Sequence, residues 1–352
     1  MTASHDPQTR PLIDIRSDTV TKPTPAMRRA MADADVGDDV LDGDPTTRRL
    51  EAMVAERLGK EQALFFPTGT MANQAAIWLH TQPGTEIFVD AASHIVHWEM
   101  AGASALAGVQ LYPVRGTTSV MQAADLAAAF RPFSAQGMDA SLVCYENTHN
   151  GAGGVVTSLD ASRALFNVAR SAGLPVHLDG ARLWNAAEAT ATSLADFASC
   201  ADTVMVSFTK GLGAPVGAAL AGRAEHIARA YKIRKRFGGG MRQSGVLAAA
   251  AIYGLEHHLS RLTEDHEAAR YLANLLDGVG GASVVPPDTN IVMLDLPSAC
   301  ADAIVLRAQS LGVLVSAWTP SRIRALTHLD APIGLIADTA PLLVQAIAET
   351  LS

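Results

Sequence analysis

Hydrophobic positions along this chain fall into two textures. Between residues 60 and 222, short apolar runs recur with no polar alternation: "ALFFP" (63–67), "EIFVD" (86–90), "SLVCYE" (141–146), "PVHLD" (175–179), "TVMVSF" (203–208) and "AALAG" (218–222). Continuous runs of this length predict strands buried on both faces. Ala-rich stretches of helical character separate several of them, as from Asp160 to Ser171. Strands alternating with helices predict an α/β layer fold: a mostly parallel central sheet with helices on both faces. Ahead of the runs lies a polar, Pro-punctuated arm. A helix near 25–34, the Gly/Asp loop "DADVGDDVLDGDPT" and a helix over about 46–58 follow it. After Gly254 the texture changes. A polar helix, "EHHLSRLTEDHEAARYLANLLDG", precedes strands near "NIVMLDL" and "VLVSAW". The expected division is an arm plus large domain over residues 1–255 and a smaller α+β domain over 256–352.

Composition narrows the class. Of 352 residues, 49% are hydrophobic and only 5% aromatic, so the core must be built mainly from Ala, Val and Leu. A net charge of -8 argues against a nucleic-acid binder, which needs clustered positive charge. It gives no support to a basic membrane-surface protein either. The three cysteines, Cys144, Cys200 and Cys300, are far apart with no CxxC spacing, so neither a disulfide framework nor a structural metal is expected. The segment "MTASHDPQTRPLID" lacks the apolar core of a signal peptide, and the expected location is the cytoplasm.

Candidate chemistry gathers at the predicted strand ends, where open α/β sheets bind ligands. "SLVCYE" runs into Asn147-Thr148-His149-Asn150; "PVHLD" ends at Asp179 with Arg182 close behind; "TVMVSF" runs into Thr209-Lys210-Gly211. Each has an ordinary structural reading: Asp179 as a helix N-cap, Arg182 as its ion partner, His149 as a bonded loop residue, Lys210 as a solvated loop tip. Lys210 nevertheless stands out, because the chain has only five lysines and this one sits among glycines and small apolar residues. A desolvated amine has a lowered pKa and becomes nucleophilic, which is what Schiff-base chemistry needs. A pyridoxal phosphate site also needs a carboxylate for the ring nitrogen, a role Asp179 suits, and backbone N–H groups for the phosphate. The strand–turn–helix "FFPTGTMANQAAIW" offers those at Thr68-Gly69-Thr70.

At this point the chain resembles a known family. "DIRSDTVTKPT", "FFPTGTMANQ", "ENTHNGAGG", "HLDGARLWNAA", "SFTKGLGAPVG", "GGGMRQSG" and "IRALTH" occur in the order expected of the L-threonine aldolases. These are pyridoxal-phosphate enzymes of the aspartate-aminotransferase-like fold (fold type I). The resemblance implies that Lys210 is the Schiff-base lysine and Asp179 the partner of the pyridine nitrogen. It implies that Gly69 and Thr70 bind the phosphate, and that His94 in "SHIVHWEMAG" stacks on the cofactor ring. Ser17, Arg182 and Arg324 would hold the substrate carboxylate, and His149 would lie near the substrate hydroxyl. Lys235 and Arg242, from the basic run "KIRKRFGGGMR", would reach the phosphate across a subunit interface, which implies a homo-oligomer, a tetramer with shared active sites. No metal is implied.

The reaction so implied is retro-aldol cleavage of threonine or allo-threonine to glycine and an aldehyde, with His94 or His149 as the base. Lys210 and Asp179 serve β-elimination, racemisation or transamination equally, and a cofactor-binding protein without catalysis is a further alternative. A nicotinamide-binding fold is disfavoured, because no GxGxxG joins a strand to a helix.

Overall fold

The computed structural model describes residues 12–131 and 137–352, so the first eleven residues of the expected arm lie outside the described residues. The chain forms two compact units, one over Thr21–Thr263 and one combining Glu264–Ser352 with the arm up to Val20.

The larger unit holds a seven-stranded sheet in the order Gln62–Phe66, Ala218–Gly222, Thr203–Ser207, Val176–Gly180, Ala140–Glu146, Glu86–Asp90, Gln110–Val114. Neighbours are parallel from Thr203–Ser207 onward, whereas Ala218–Gly222 runs antiparallel to both strands beside it. All six expected strands are present. The seventh, Gln110–Val114, escapes the pattern because it is a half-exposed edge strand carrying Pro113, a residue sheets tolerate at edges. Gly180 lets two strands close beside Asp179, since a Cβ there would lie 2.6 Å from the Met205 carbonyl oxygen.

Local signals fix the helix starts. Asp44 caps the Pro45–Leu58 helix by accepting the Thr47 N–H at 2.8 Å, with proline at the first helical position. Two further carboxylates of the Gly/Asp loop are occupied too: Asp39 pairs with Arg234 and Asp38 accepts the Val40 N–H. Thr68 caps Gly69–His80 by accepting the Met71 N–H at 3.1 Å. Small side chains make the core as composition requires: Ala248, Ala250 and Ala251 of the Gly245–His257 helix are fully buried.

The smaller unit carries an antiparallel sheet ordered Ser316–Thr319, Arg322–Leu326, Ile291–Asp295, Ser283–Val284. Two expectations need correction here. The arm belongs with this unit rather than the large one: Ile13–Asp14 pairs in parallel with Val313–Leu314, and Ile13 and Ile15 enter the core around Leu272, Val313 and Ile336. The expected polar helix is two helices, Gly245–His257 and Leu262–Leu276, broken where His258 Nδ1 bonds the Leu212 carbonyl at 2.8 Å. That contact keeps residues up to 258 with the large unit, so the units divide after Thr263 rather than at 255. The Ile333–Leu351 helix is long and apolar enough to cross a bilayer, yet one face of it (Ile336, Ala340, Leu343, Ala346, Ile347) is core in this unit.

Candidate active site

Six of the seven strands in the large sheet point the same way, so their carboxyl ends share one edge. That edge carries Asp90, Glu146 and Asp179 on three adjacent strands, with Lys210 just past Thr203–Ser207 and Thr68–Gly69 just past Gln62–Phe66.

Asp179 is buried at 2% exposure and both its oxygens accept N–H bonds, Oδ2 from Asn73 Nδ2 at 2.8 Å and Oδ1 from the Ala181 amide at 3.1 Å. The N-cap role is therefore not what holds it: Arg182, not Asp179, flanks the following helix, Leu183–Thr190. Arg182 is buried and donates to Asn150 Oδ1 at 3.1 Å. Asn73 Nδ2 also reaches Glu99 Oε1 at 2.8 Å, and Gln74 Nε2 reaches Glu99 Oε2 at 2.6 Å.

The two candidate histidines differ in what they have left to offer. His94 Nδ1 lies 2.9 Å from Glu99 Oε1, its ring stacks on Trp98 at 6.0 Å, and its side chain is 36% exposed. Among the described residues its Nε2 has no hydrogen-bond partner. Burial works against charging this imidazole, but the Glu99 bond and the charges of Asp179, Glu99 and Glu146 outweigh it and hold the pKa above the ordinary histidine value. His149 is 1% exposed; its Nε2 lies 3.1 Å from Asp90 Oδ1 and its Nδ1 accepts the Ala152 N–H at 3.2 Å. Burial opposes its charge as well, and Glu146 and Asp90 overcome this and raise its pKa. A proton on Nδ1 would face the Ala152 N–H, so that one donor resists the charged form the carboxylates favour. His149 Nδ1 is taken by Ala152, and its Nε2, buried beside Asp90, makes no hydrogen bond there; His94 keeps its Nε2 open on a 36% exposed side chain.

Lys210 sits on an anchored turn. Its carbonyl accepts the Gly213 N–H at 2.8 Å, Gly213 adopts φ 74°, and the Ser207 carbonyl is held by Trp184 Nε1 at 2.9 Å. Gly69 and Thr70 open the Gly69–His80 helix, whose first N–H groups point toward the strand-end edge. Lys235 lies exposed on Ala224–Arg236, and Arg242 is half-exposed and 3.2 Å from Asp38. Ser17 and Arg324 belong to the smaller unit. There the Leu326 N–H bonds the Ile15 carbonyl at 2.8 Å, which pins the arm along the Arg322–Leu326 strand, and Arg324 Nη2 lies 3.5 Å from the Arg16 carbonyl.

Asn73, Asp90, Glu99 and Glu146 escaped the sequence reading. Each is a common residue near a strand or helix end, and only the His94–Glu99 spacing in "SHIVHWEMAG" offered a signal. Glu146 ties the two histidine segments together by accepting the His94 and Asn150 amides, both at 2.8 Å. Ligand atoms of His94, Glu99 and Asp179 lie within 4.8 Å of one another, a spacing a metal ion could use. The two carboxylates, however, already accept bonds from Asn73, Gln74 and Ala181.

The donor set fits pyridoxal phosphate. A buried carboxylate whose two oxygens act as acceptors matches a protonated ring nitrogen, and a capped helix start matches a phosphate. A lysine on a Gly-rich turn completes the set at the same sheet edge. Such an α/β sheet with its polar groups at the strand ends defines a cofactor-dependent amino-acid enzyme class. A family model described as beta-eliminating lyase matches residues 14–299. The chain belongs to that family and, within it, with the low-specificity L-threonine aldolases. It is 39% identical to the low specificity L-threonine aldolase of Escherichia coli K12 over 94% of this chain and 97% of that one. It is 38% identical to low-specificity L-threonine aldolase 1 of Arabidopsis thaliana, covering 90% and 91%. Among solved structures, the threonine aldolase of Leishmania major superposes with a TM-score of 0.81 at 19% identity, covering 95% and 99%. The serine palmitoyltransferase of Sphingomonas wittichii shares the fold at 0.75 and 18%, covering 96% and 88%.

Proposed function

We propose that this protein is a pyridoxal-phosphate-dependent carbon–carbon lyase. It cleaves L-threonine, L-allo-threonine and related β-hydroxy-α-amino acids to glycine and an aldehyde. The observation that carries the reading is the buried, doubly hydrogen-bonded Asp179 on the sheet edge that also bears Lys210, in a chain so similar to threonine aldolases. Lys210 would anchor the cofactor, Asp179 would hold its ring nitrogen, and the Gly69 and Thr70 amides its phosphate. When bound, pyridoxal phosphate supplies an electron sink conjugated to the substrate amine.

The chain's own groups do the rest. Arg182 is assigned the substrate carboxylate, through forked, charge-assisted bonds. Ser17 and Arg324 are assigned carboxylate binding in the smaller unit, on the resemblance and on the pinning of the arm beside Arg324. His94 is assigned the base, because its Nε2 is open while Glu99 orients the ring from the other side. His149, fully buried with its Nδ1 on Ala152 and its Nε2 facing Asp90, is assigned to shaping the pocket beside the hydroxyl. The β-hydroxyl proton passes to His94 Nε2, directly or through a water. The Cβ–O bond becomes the carbonyl of the departing aldehyde as Cα–Cβ breaks, and a proton delivered to Cα completes glycine. A cytoplasmic homotetramer, with Lys235 and Arg242 reaching a neighbouring subunit's phosphate site, belongs to the same reading.

The test is an absorbance spectrum of the purified protein with pyridoxal phosphate, with and without L-threonine, beside assays for acetaldehyde and glycine. Wild type is expected to give both products, and Lys210→Ala to give no cofactor linkage and only background cleavage. Pyruvate and ammonia in their place would establish β-elimination instead. Wild-type cleavage rates in Lys210→Ala would sink the assignment.

A further inference from the structure

Behind Asp179 lies a row of buried polar groups to which the reaction above gives no part. His177 precedes Asp179 by two residues, so both side chains leave the same face of the Val176–Gly180 strand. The Gly69–His80 helix turns Asn73 and, about two turns on, His80 toward the start of the same sheet region. His177 Nε2 lies 3.0 Å from Asn73 Oδ1, and His177 Nδ1 lies 3.0 Å from Thr203 Oγ1. Thr203 Oγ1 is 3.1 Å from His80 Nε2. Asn73, His177 and Thr203 are each at most 1% exposed.

Counting hydrogens leaves one arrangement. The Asn73 atom facing both Asp179 and Glu99 must be the amide nitrogen, because an oxygen there would meet two carboxylates. Its oxygen therefore faces His177 and requires a hydrogen on Nε2. Burial pushes the His177 pKa down to about 4, so the ring is neutral and its Nδ1 is an acceptor. The Thr203 hydroxyl then donates to Nδ1, and His80 Nε2–H donates to the Thr203 oxygen. Every hydrogen in the row points toward the carboxylates.

Resting on the pyridoxal-phosphate reading, we propose that His177 and Asn73 are positioning residues. The neutral imidazole orients the Asn73 amide, and that single NH2 group holds two carboxylates as acceptors at once. One is Asp179, assigned to the cofactor ring nitrogen; the other is Glu99, which orients His94. One amide thus couples the cofactor's carboxylate to the base's carboxylate, across 106 residues of sequence to Asp179 and 26 to Glu99.

Three full-length variants, Asn73→Ala, His177→Leu and His177→Gln, test this beside wild type. Hydrogen bonds to charged groups of this kind correspond to about 10- to 100-fold in an equilibrium constant. Asn73→Ala is therefore expected to weaken pyridoxal phosphate affinity by about 10-fold or more, and kcat by a similar factor, with KM for threonine within about 3-fold. It is also expected to move the pH titration of the bound-cofactor absorbance by about one pH unit, a change that a loss of packing alone does not produce. His177→Leu is expected to follow it. His177→Gln, whose amide can donate to Asn73 and accept from Thr203, is expected to restore most of the affinity and the titration. Nitrogen NMR of wild type, with no variant needed, is expected to show His177 neutral at pH 7 with its proton on Nε2. A charged ring, a proton on Nδ1, or a His177→Leu variant titrating like wild type would overturn the inference. Wild type that takes up no pyridoxal phosphate would overturn the reading beneath it as well, and is recognised because it needs no variant.

Discussion

Replacing Glu99 by glutamine removes one negative charge 2.9 Å from His94 Nδ1 while preserving size. In the wild type, Glu99 has a fully buried side chain and accepts from Asn73, Gln74 and His94. The glutamine offers only one acceptor oxygen to these three donors, so the His94 bond loses its charge or is lost entirely. A charge-assisted hydrogen bond contributes about 1.5–3 kcal/mol, and a tenfold change in an ionisation constant corresponds to about 1.4 kcal/mol, so the His94 pKa falls by about one to two. The ring is 36% exposed, so water screens part of this and a fall of about one is the working expectation. The sign follows from the proposed role of His94: a base acts as the neutral imidazole, so kcat/KM is expected to rise with pH as His94 loses its proton. A lower pKa moves that acid limb toward lower pH by about one pH unit and lowers the plateau, because the weaker base is the poorer proton acceptor. Acetaldehyde release from threonine between pH 5 and 9, coupled to an aldehyde reductase, reads both. If Glu99→Gln folds and binds cofactor normally but its acid limb stays in place, His94 is not the group that titrates and the base assignment is wrong.

Two further outcomes concern stability. Arg234 is 1% exposed, 2.7 Å from Asp39 Oδ2 and 2.6 Å from the Phe65 carbonyl; Arg234→Leu strands a buried carboxylate and should cost about 3–5 kcal/mol in urea unfolding. A loss under about 1 kcal/mol would mean that water already reaches the pair. Burial holds His80 near pKa 3 and His177 near 4 in the folded chain, against about 6.5 unfolded, so the unfolded chain binds more protons between those values. Stability is then fully present above about pH 6.5 and falls as pH drops toward 4, by about 2 kcal/mol per group at pH 5. The urea midpoint should fall between pH 6.5 and 5, below the range in which the raised pKa values of His94 and His149 add stability on acidification, and His177→Gln should flatten that fall; an equally steep fall in His177→Gln would contradict a buried, neutral imidazole there.

Much of the large sheet could be read from sequence, because a strand buried on both faces is written as an unbroken apolar run that needs no knowledge of its neighbours. The same locality exposed Asp179 and Lys210, whose polar groups interrupt such runs at their ends. Gln110–Val114 is invisible to this pattern because an edge strand is half wet and this one contains Pro113, so its burial leaves no continuous run. The place of the arm is hidden for a different reason: Ile13 and Ile15 state that they will be buried, not in which of two cores, and only the pairing with Val313–Leu314 decides it. The histidines could not be told apart in sequence either. His94 and His149 both follow strands, and the difference lies in surroundings: His149 is buried against Asp90 and Ala152, while His94 gives one nitrogen to Glu99 and stays 36% exposed. Asn73 and His177 read as a polar helix residue and a strand histidine until packing sets them 3.0 Å apart. Periodicity and composition report how deeply an element will be buried, a property each segment carries by itself. Which donor meets which acceptor depends on distances between segments remote in the chain, and these exist only once the sheet has closed around them.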